Sequence, residues 1–282
     1  MVTKSFVKRH ISVFGVLGIV ALLLLSACST GGTTTTPPPT STITTASATL
    51  KHVPHGTVDL DWNPSTQMLT AKFSLVGLAP KSTHPAHIHA GSCKNQGNVV
   101  YPLPNVVADA HGVATMSGSI SLPTGIPATG FYVNVHNGPG LSTNDQFLPI
   151  VCGDISNPNH ANTVQVTMQG APPASAGETV SGTAHLSLSG NTLTVTLMLS
   201  GLEPNSSHAA HIHLGSCESQ GPVKYPLKTV TADASGKATV TTVIPDVASI
   251  PSTGWYVNVH HSTALTTQTG FDPIACGNVV LG

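Results

Sequence analysis

Apolar and polar residues alternate along several short stretches of the chain. Two of these stretches are Leu69-Thr-Ala-Lys-Phe-Ser-Leu-Val76 and Leu193-Thr-Val-Thr-Leu-Met-Leu199. Successive side chains of a β-strand point to opposite faces, so a period of two predicts half-buried strands. Turn residues such as Asn63-Pro64 and Gly190-Asn191 separate the stretches, and no segment shows a sustained helical period. The pattern therefore predicts an all-β fold.

One set of residues occurs twice in the chain, 124 positions apart. The first copy reads His84-Pro-Ala-His87-Ile-His89-Ala-Gly-Ser-Cys93, then Tyr132-Val-Asn-Val-His136, then Cys152-Gly153. The second copy reads His208-Ala-Ala-His211-Ile-His213-Leu-Gly-Ser-Cys217, then Tyr256-Val-Asn-Val-His260, then Cys276-Gly277. This duplication predicts two tandem domains, residues 48–156 and 162–282, each a Greek-key β-barrel or sandwich. Thr163 to Met168 is the expected first strand of the second domain, and the Pro- and Ala-rich tract 171–177 follows inside that domain.

The first 27 residues have the pattern of a bacterial lipoprotein signal peptide. Lys4, Lys8 and Arg9 precede an apolar run from residue 11 to residue 25, and Leu25-Ser-Ala-Cys28 follows as a lipobox. The apolar run, about 15 residues, is short for a bilayer span, so we predict cleavage before Cys28 and lipidation of its thiol. An uncleaved anchor is the alternative. Either way, the protein is expected outside the cytoplasm, attached to the bacterial cell membrane.

Residues 28–47 are almost entirely Thr, Ser, Gly, Pro and Ala. Such a segment buries too little apolar area to fold, so it predicts a disordered tether between the membrane and the first domain.

The remaining four cysteines divide evenly between the two copies. An extracytoplasmic location and an even count favour disulfides over a thiolate metal site. The repeat favours the pairs Cys93–Cys152 and Cys217–Cys276, whereas pairing between the copies is the alternative.

Charge is sparse and slightly negative. Three of the ten basic residues lie in the signal peptide, which leaves seven Lys and no Arg against 11 acidic residues, a net charge of 7 − 11 = −4. Recognition of nucleic acid needs basic stripes and Arg side chains, so this composition excludes a nucleic-acid partner.

The histidines of the repeated set suggest a metal site in each domain. On a strand, His87 and His89 leave the same face while Ile88 points to the other. If Ile88 faces the core together with the two valines before His136, all three histidines project from the outside of the barrel. Neutral imidazole binds copper and zinc, and three imidazoles without thiolate or carboxylate favour Cu(II). We therefore predict one surface copper site per domain, held by His87, His89 and His136 in the first and by His211, His213 and His260 in the second.

Other interpretations of these histidines stay open. Surface or hydrogen-bonded histidines that bind no metal are the simplest alternative. Eight of the 15 histidines nevertheless belong to the repeated set, whereas the other histidines have no counterpart in the other copy. His84 and His208 lie three residues before the His-X-His pair, so their parity differs. We predict that they bond the backbone near the site and orient the ligands.

The order of these motifs resembles the copper/zinc superoxide dismutases. The resembling pieces are His-X-X-His-X-His, the Gly-X-Cys that follows, the later Val-X-Val-His and the terminal Cys-Gly, together with Leu103 to Gly112 and Pro273 to Val279. The resemblance implies an eight-stranded Greek-key barrel, copper on His87, His89 and His136, and a Cys93–Cys152 disulfide beside the site.

The chain also departs from that family. No His or Asp lies between Cys93 and Tyr101, where the family has its zinc loop, and Tyr101-Pro102 stands in place of the zinc aspartate. Pro149 and Pro273 stand where the family has a guiding arginine. We therefore expect no zinc and little or no catalysis.

Ala-His-Ile-His and Tyr-Val-Asn-Val-His resemble a second family, the chordin-type (CHRD) domains, which are extracellular β-modules. Three functions follow from the two resemblances. The first is copper binding with weak or no catalysis, the second is a copper-only superoxide dismutase, and the third is a metal-free interaction module of the cell surface.

Overall fold

β-Strands make up most of the part of the chain that the structure describes. The structure is a computed structural model, and it describes residues 42–52, 54–170 and 180–282. Within these ranges there are strands, turns and two helices of four residues each, so the predicted all-β fold is confirmed.

The elements of the first half begin with a strand close to the Thr-rich segment. In chain order they are β1 (Ile43–Lys51), β2 (His55–Asn63), β3 (Met68–Val76), β4 (Thr83–Gly91), β5 (Gln96–Val107), β6 (Ala114–Ser121), β7 (Phe131–His136), α1 (Asn144–Phe147) and β8 (Pro149–Asp154).

The second half repeats this order with shorter pieces. Its elements are β9 (Thr163–Gly170), β10 (Ser181–Ser189), β11 (Thr192–Ser200), β12 (Ser207–His208), β13 (Ala210–Gly215), β14 (Gln220–Pro226), β15 (Val230–Thr231), β16 (Ala238–Ile244), β17 (Trp255–His260), α2 (Gln268–Phe271), β18 (Pro273–Asn278) and β19 (Val280–Leu281).

The residues that alternate between apolar and polar in the sequence alternate between buried and more exposed positions in the structure. In β3 every second residue is buried, from Leu69 to Leu75, and β11 repeats the pattern from Leu193 to Leu199. The two-residue turn Gly190-Asn191 joins β10 to β11, because Ser189 pairs with Thr192. Each half has its own apolar core of buried residues.

All strands except β12 and β15, which pair with each other, belong to two barrel-like sheets. The first sheet has the order β5-β4-β7-β8-β9-β2-β3-β6, and its two end strands approach each other where Gly118 of β6 faces Pro104 of β5. The second sheet has the order β14-β13-β17-β18-β1-β10-β11-β16, with β19 paired to β1. In the first sheet β3 lies beside β6 rather than β4, as Greek-key connectivity requires.

Two strands, β1 and β9, each pair with strands of the other half of the chain. β1 pairs with β10 over its whole length, so that Ala48 is opposite Ala184. β9 pairs with β2, so that Val58 is opposite Val166, although β9 was expected to begin the second domain. The halves therefore exchange one strand each, and the pairing crosses the predicted boundaries at residues 156 and 162.

The connection between β1 and β2 gives a physical reason for this exchange. Only residues 52–54 separate the two strands, and they read His-Val-Pro. This stretch has none of the Gly, Asn or Asp that tight hairpin turns need. The sequence therefore favours continuation of β1 into the neighbouring barrel over a hairpin with β2.

The N-terminal predictions fall largely outside the described residues. The signal peptide, Cys28, the tether up to residue 41 and the tract 171–177 all lie there. β1 begins at Ile43, which corrects the predicted end of the tether at residue 47. Within the described ranges, neither helix is long and apolar enough to cross a membrane.

Two glutamines of the second barrel bind the backbone of the first. The Gln268 amide accepts a hydrogen bond from the Thr83 N–H at 2.9 Å and donates to the carbonyls of Thr83 and Asn137 at 2.8 and 3.0 Å. The Gln220 amide donates to the Leu78 carbonyl at 2.9 Å. These contacts join the two barrels close to the histidines of the repeated set.

Candidate metal centre

Strands β4 and β7 place the first three histidines on one face. In the antiparallel register His87 is opposite Asn134, and His89 is opposite Tyr132. Ile88 packs in the first core together with the two valines of β7, as the parity of the strands predicts. The polar residues of the two strands therefore share the outward face, and β13 and β17 repeat the arrangement in the second barrel.

The two sets of three histidines converge. Each residue of the set His87, His89 and His136 offers one nitrogen, and these nitrogens all lie within 4.8 Å of one another. The same distance limit holds for His211, His213 and His260. Among the described residues, these are the two groups of His, Cys, Asp or Glu side chains that could hold a metal ion. We call them the first and the second triad.

The triads are not the open surface sites that we expected. His89 is 3% exposed and His136 is 1% exposed. The segment after β7 folds back over this face, where Gly138 N–H bonds to the Gln146 carbonyl and the Phe147 ring lies 4.9 Å from the His136 ring. His87 is only partly buried, so each triad is reached from the side of its first histidine.

Backbone carbonyls accept hydrogen bonds from Nδ1 of the buried histidines of each triad, which leaves the lone pair of each ring on Nε2. His136 Nδ1 donates to the Phe147 carbonyl at 2.8 Å, and His89 Nδ1 donates to the Gly97 carbonyl at 3.0 Å. Each neutral ring then carries its lone pair on Nε2. His89 Nε2 and His87 Nδ1 are buried and have no hydrogen-bond partner. The second triad repeats both bonds, at 2.6 Å from His260 and 2.9 Å from His213, and leaves the corresponding nitrogens without a partner.

Burial keeps these imidazoles neutral. Together with a smaller contribution from charge repulsion by the other histidines of each triad, burial lowers the pKa of His136 and of His260 to about 4. Burial also lowers the pKa of His87 and His89. A histidine binds metal as neutral imidazole, so the site is prepared for a cation near neutral pH.

His84 and His208 lie behind the triads. His84 is fully buried, and its Nδ1 donates to the backbone carbonyl of His136 at 2.9 Å while its Nε2 lies 2.6 Å from the Ser82 hydroxyl oxygen. In the second barrel, His208 bonds the carbonyl of His260 at 3.0 Å and Ser206 at 2.7 Å. Both residues hold the end of the strand that carries the third histidine.

Two residues beside each triad had been expected to contribute ordinary strand packing. The Asn134 amide nitrogen lies 3.4 Å from His136 Nε2, and the Tyr132 ring stacks on the His89 ring at 5.1 Å. Asn258 and Tyr256 occupy the same places in the second barrel. The shared parity of Asn134 and His136 was visible in the sequence, but ordinary strand packing explains such a residue equally well.

Both predicted disulfides are confirmed. Cys93 is bonded to Cys152 and Cys217 to Cys276, so each bond stays within one copy. Cys93 lies in the turn between His89 and Gly97, whose carbonyl orients the His89 ring. Each bond thus ties this turn to β8 or β18.

The fold and the site define a β-protein with two barrels, each with three convergent histidines and a disulfide beside them. The CHRD domain family matches the chain over residues 25–139 and 163–264, so the chain belongs to this family. A comparison with curated proteins gives no match. The match agrees with the second of the two resemblances, and the likeness to the superoxide dismutases stays a likeness of motifs.

Proposed function

We propose that this protein is a lipid-anchored, extracytoplasmic copper-binding protein with one copper ion per barrel and weak or no catalysis. The observation that carries the proposal is the pair of triads. In each triad three buried or half-buried imidazoles bring one nitrogen each within 4.8 Å of the others, and two of the three rings have a buried nitrogen without a hydrogen-bond partner. An unpaired buried polar atom costs about 1–3 kcal/mol, and a bound cation would satisfy these nitrogens.

The donor set supports copper. Each triad offers three nitrogens, without a carboxylate or thiolate in the group. Copper(II) stands highest in the general order of affinity among divalent first-row metals, and imidazole suits it. Zinc is the main competitor, because three histidines also hold zinc in some proteins. Copper bound here would supply one-electron Cu(II)/Cu(I) chemistry.

The proposed location rests on two features. Cys28 ends a lipobox, and lipidation of its thiol would attach the chain to the membrane. The two disulfides suit an oxidising compartment outside the cytoplasm.

Copper stoichiometry tests the proposal. Mature protein that is loaded with Cu(II) and freed of excess metal should contain about two coppers per chain by elemental analysis, also with equimolar Zn(II) present. The double variant His87→Ala with His211→Ala should lose most of this copper, because each triad loses a ligand. His185 is exposed and outside both triads, so His185→Ala is the matched control and should keep both ions.

Copper near zero in the parent protein would refute the proposal, and so would full copper in the double variant. The first outcome would favour a metal-free CHRD-type module, which the family membership supports.

The copper-only dismutase is the second candidate, favoured by the His87 side of the site, which solvent reaches. We expect its activity to be far below that of zinc-containing enzymes, because the guiding arginine is replaced by Pro149 and the net charge of −4 (7 − 11) repels an anion. Loss of electrostatic steering alone lowers association rates about 10-fold to 10³-fold. Pulse radiolysis of the copper-loaded protein measures the rate. A rate near the diffusion limit that is lost in His136→Ala with His260→Ala would show that the protein is an enzyme.

A further inference from the structure

An asparagine side-chain oxygen beside each triad is buried without a hydrogen-bond partner, and the proposed three-histidine sites do not account for it. Asn134 and Asn258 are each 1% exposed, and the side-chain oxygen of each has no hydrogen-bond partner. Most buried polar atoms in proteins are paired, so an unpaired one needs an explanation. The same atom is unpaired in both copies, which argues against an accident of packing at one position.

The position of the carboxamide fits a ligand. Asn134 lies on β7 two residues before His136, on the same outward face, and directly opposite His87 in the register. Its amide nitrogen is 3.4 Å from His136 Nε2, and the equivalent distance from Asn258 to His260 is 3.5 Å. Two donor atoms that share one ion, with bonds of about 2.0–2.1 Å and a tetrahedral angle, lie about 3.4 Å apart. The amide is therefore as far from Nε2 as a second ligand of the same ion would be.

The bond that the amide now makes is incompatible with a bound cation. The Asn134 N–H points to the Nε2 lone pair of His136, because Nδ1 of that ring already donates to the Phe147 carbonyl. A metal ion on Nε2 takes this lone pair and repels the amide hydrogens. The nitrogen and oxygen of a carboxamide are nearly equal in size, so half a turn of the amide brings the oxygen into the same place.

We propose that Asn134 and Asn258 are the fourth ligands of the two metal sites, through their side-chain oxygens. This inference rests on the proposed function. It makes each site a set of three imidazole nitrogens and one neutral oxygen, donor types that Cu(II) accepts. Cu(I) prefers sulfur ligands, so the oxygen favours the oxidised ion. The site would then hold Cu(II) more readily than cycle it, in agreement with weak catalysis.

The test compares three side chains at one position in a protein with a single site. The His211→Ala background removes a ligand from the second triad, so that the measured Cu(II) binding comes from the first barrel alone. Into this background we place Asn134→Leu, which has similar size and no oxygen, and Asn134→Asp, which keeps an oxygen. Chelator competition gives the Cu(II) dissociation constant. Line broadening of the copper EPR signal in ¹⁷O-labelled water gives the number of water molecules on the ion.

We expect Asn134→Leu to weaken Cu(II) binding at least about tenfold and to add one water to the ion. Asn134→Asp should bind at least as tightly as the parent and add no water. Asn157 is a buried asparagine whose amide bonds the backbone of Ile126 and Ala161, outside the triad. Asn157→Ala is the control: it should lower stability and leave the dissociation constant unchanged.

The outcomes separate the two proposals. If the parent binds no copper, the proposed function fails, and the fourth ligand fails with it. If the parent binds copper and Asn134→Leu matches it in affinity and water number, only the fourth ligand is wrong. If Asn134→Leu does not fold, the Asn134→Asp variant tests the assignment instead. Tenfold weaker Cu(II) binding or an added water in that variant would also overturn the assignment.

Discussion

The variant Leu50→Asp should unfold the second barrel and leave the first barrel folded, although residue 50 precedes the whole first barrel in sequence. Leu50 lies on β1 and is fully buried in the core of the second barrel. Burial of an unpaired carboxylate in place of a leucine costs several kcal/mol, which is a large part of the roughly 5–15 kcal/mol that stabilises a domain. Hydrogen exchange by mass spectrometry should show lost protection in β10 and retained protection in β3.

The reverse experiment uses the other exchanged strand. Val166 is buried in the first core, so Val166→Asp should expose β2 and leave β11 protected. Thr49 is the exposed neighbour of Leu50, and Thr49→Asp is the matched control that should leave both barrels protected. If Leu50→Asp instead opens the first barrel, β1 pairs within its own repeat and the exchange of strands is wrong.

Acidification should strongly destabilise the metal-free protein between pH 6.5 and pH 4. The pKa of His84, His136 and His260 is lowered to about 4 in the folded chain, in each case chiefly by burial, from 6.5. Below pH 6.5 the unfolded chain therefore binds more protons than the folded chain, and stability falls with pH until the folded histidines also titrate near pH 4. A shift of this size corresponds to about 3 kcal/mol for one fully buried histidine, so the three together cost several kcal/mol.

Urea unfolding at pH 7.5 and at pH 5 measures this effect. Asp272 works in the opposite direction, because burial raises the pKa of its carboxyl and favours the folded state at low pH. The first copy has Leu148 at the equivalent position, so Asp272→Leu supplies a background without that carboxyl. In this background, the free energy of unfolding of His84→Gln should depend less on pH than that of Asp272→Leu alone. The exposed control His185→Gln should not show this difference. Equal free energies of unfolding at the two pH values would contradict the prediction.

The sequence predicted local features well and the pairing of distant strands poorly. Alternation placed β3 and β11 within a residue of their observed ends, and the repeat gave both disulfides. The parity of Ile88 placed the histidines on the outward face. These features depend on the two-residue period of a strand or on a comparison of the two copies, and the sequence alone supplies both kinds of information.

Other features depend on contacts that no local pattern records. β1 and β9 have the same alternation of apolar and polar residues, so the sequence does not say which barrel each one completes. β1 also begins among Thr, Ser and Ala residues, where its buried alanines, Ala46 and Ala48, resemble the tether before them. The burial of the triads results from the segment after β7, and its path depends on backbone bonds such as Asn137 N–H to the Leu148 carbonyl.

The single turn of α2 connects the second triad to the backbone beside the first. At one end, the Phe271 carbonyl fixes the His260 ring at 2.6 Å. At the other end, the Gln268 side chain forms hydrogen bonds with the backbone of Thr83 and Asn137, the residues next to His84 and His136. In the first copy the equivalent position holds Asn144, which has a shorter side chain. These four residues thus link the two sites through hydrogen bonds, so we expect a displacement of His260 to be transmitted to the backbone next to His136. The duplication has therefore produced two sites that are linked to each other and differ in their surroundings, so neither is a redundant copy of the other.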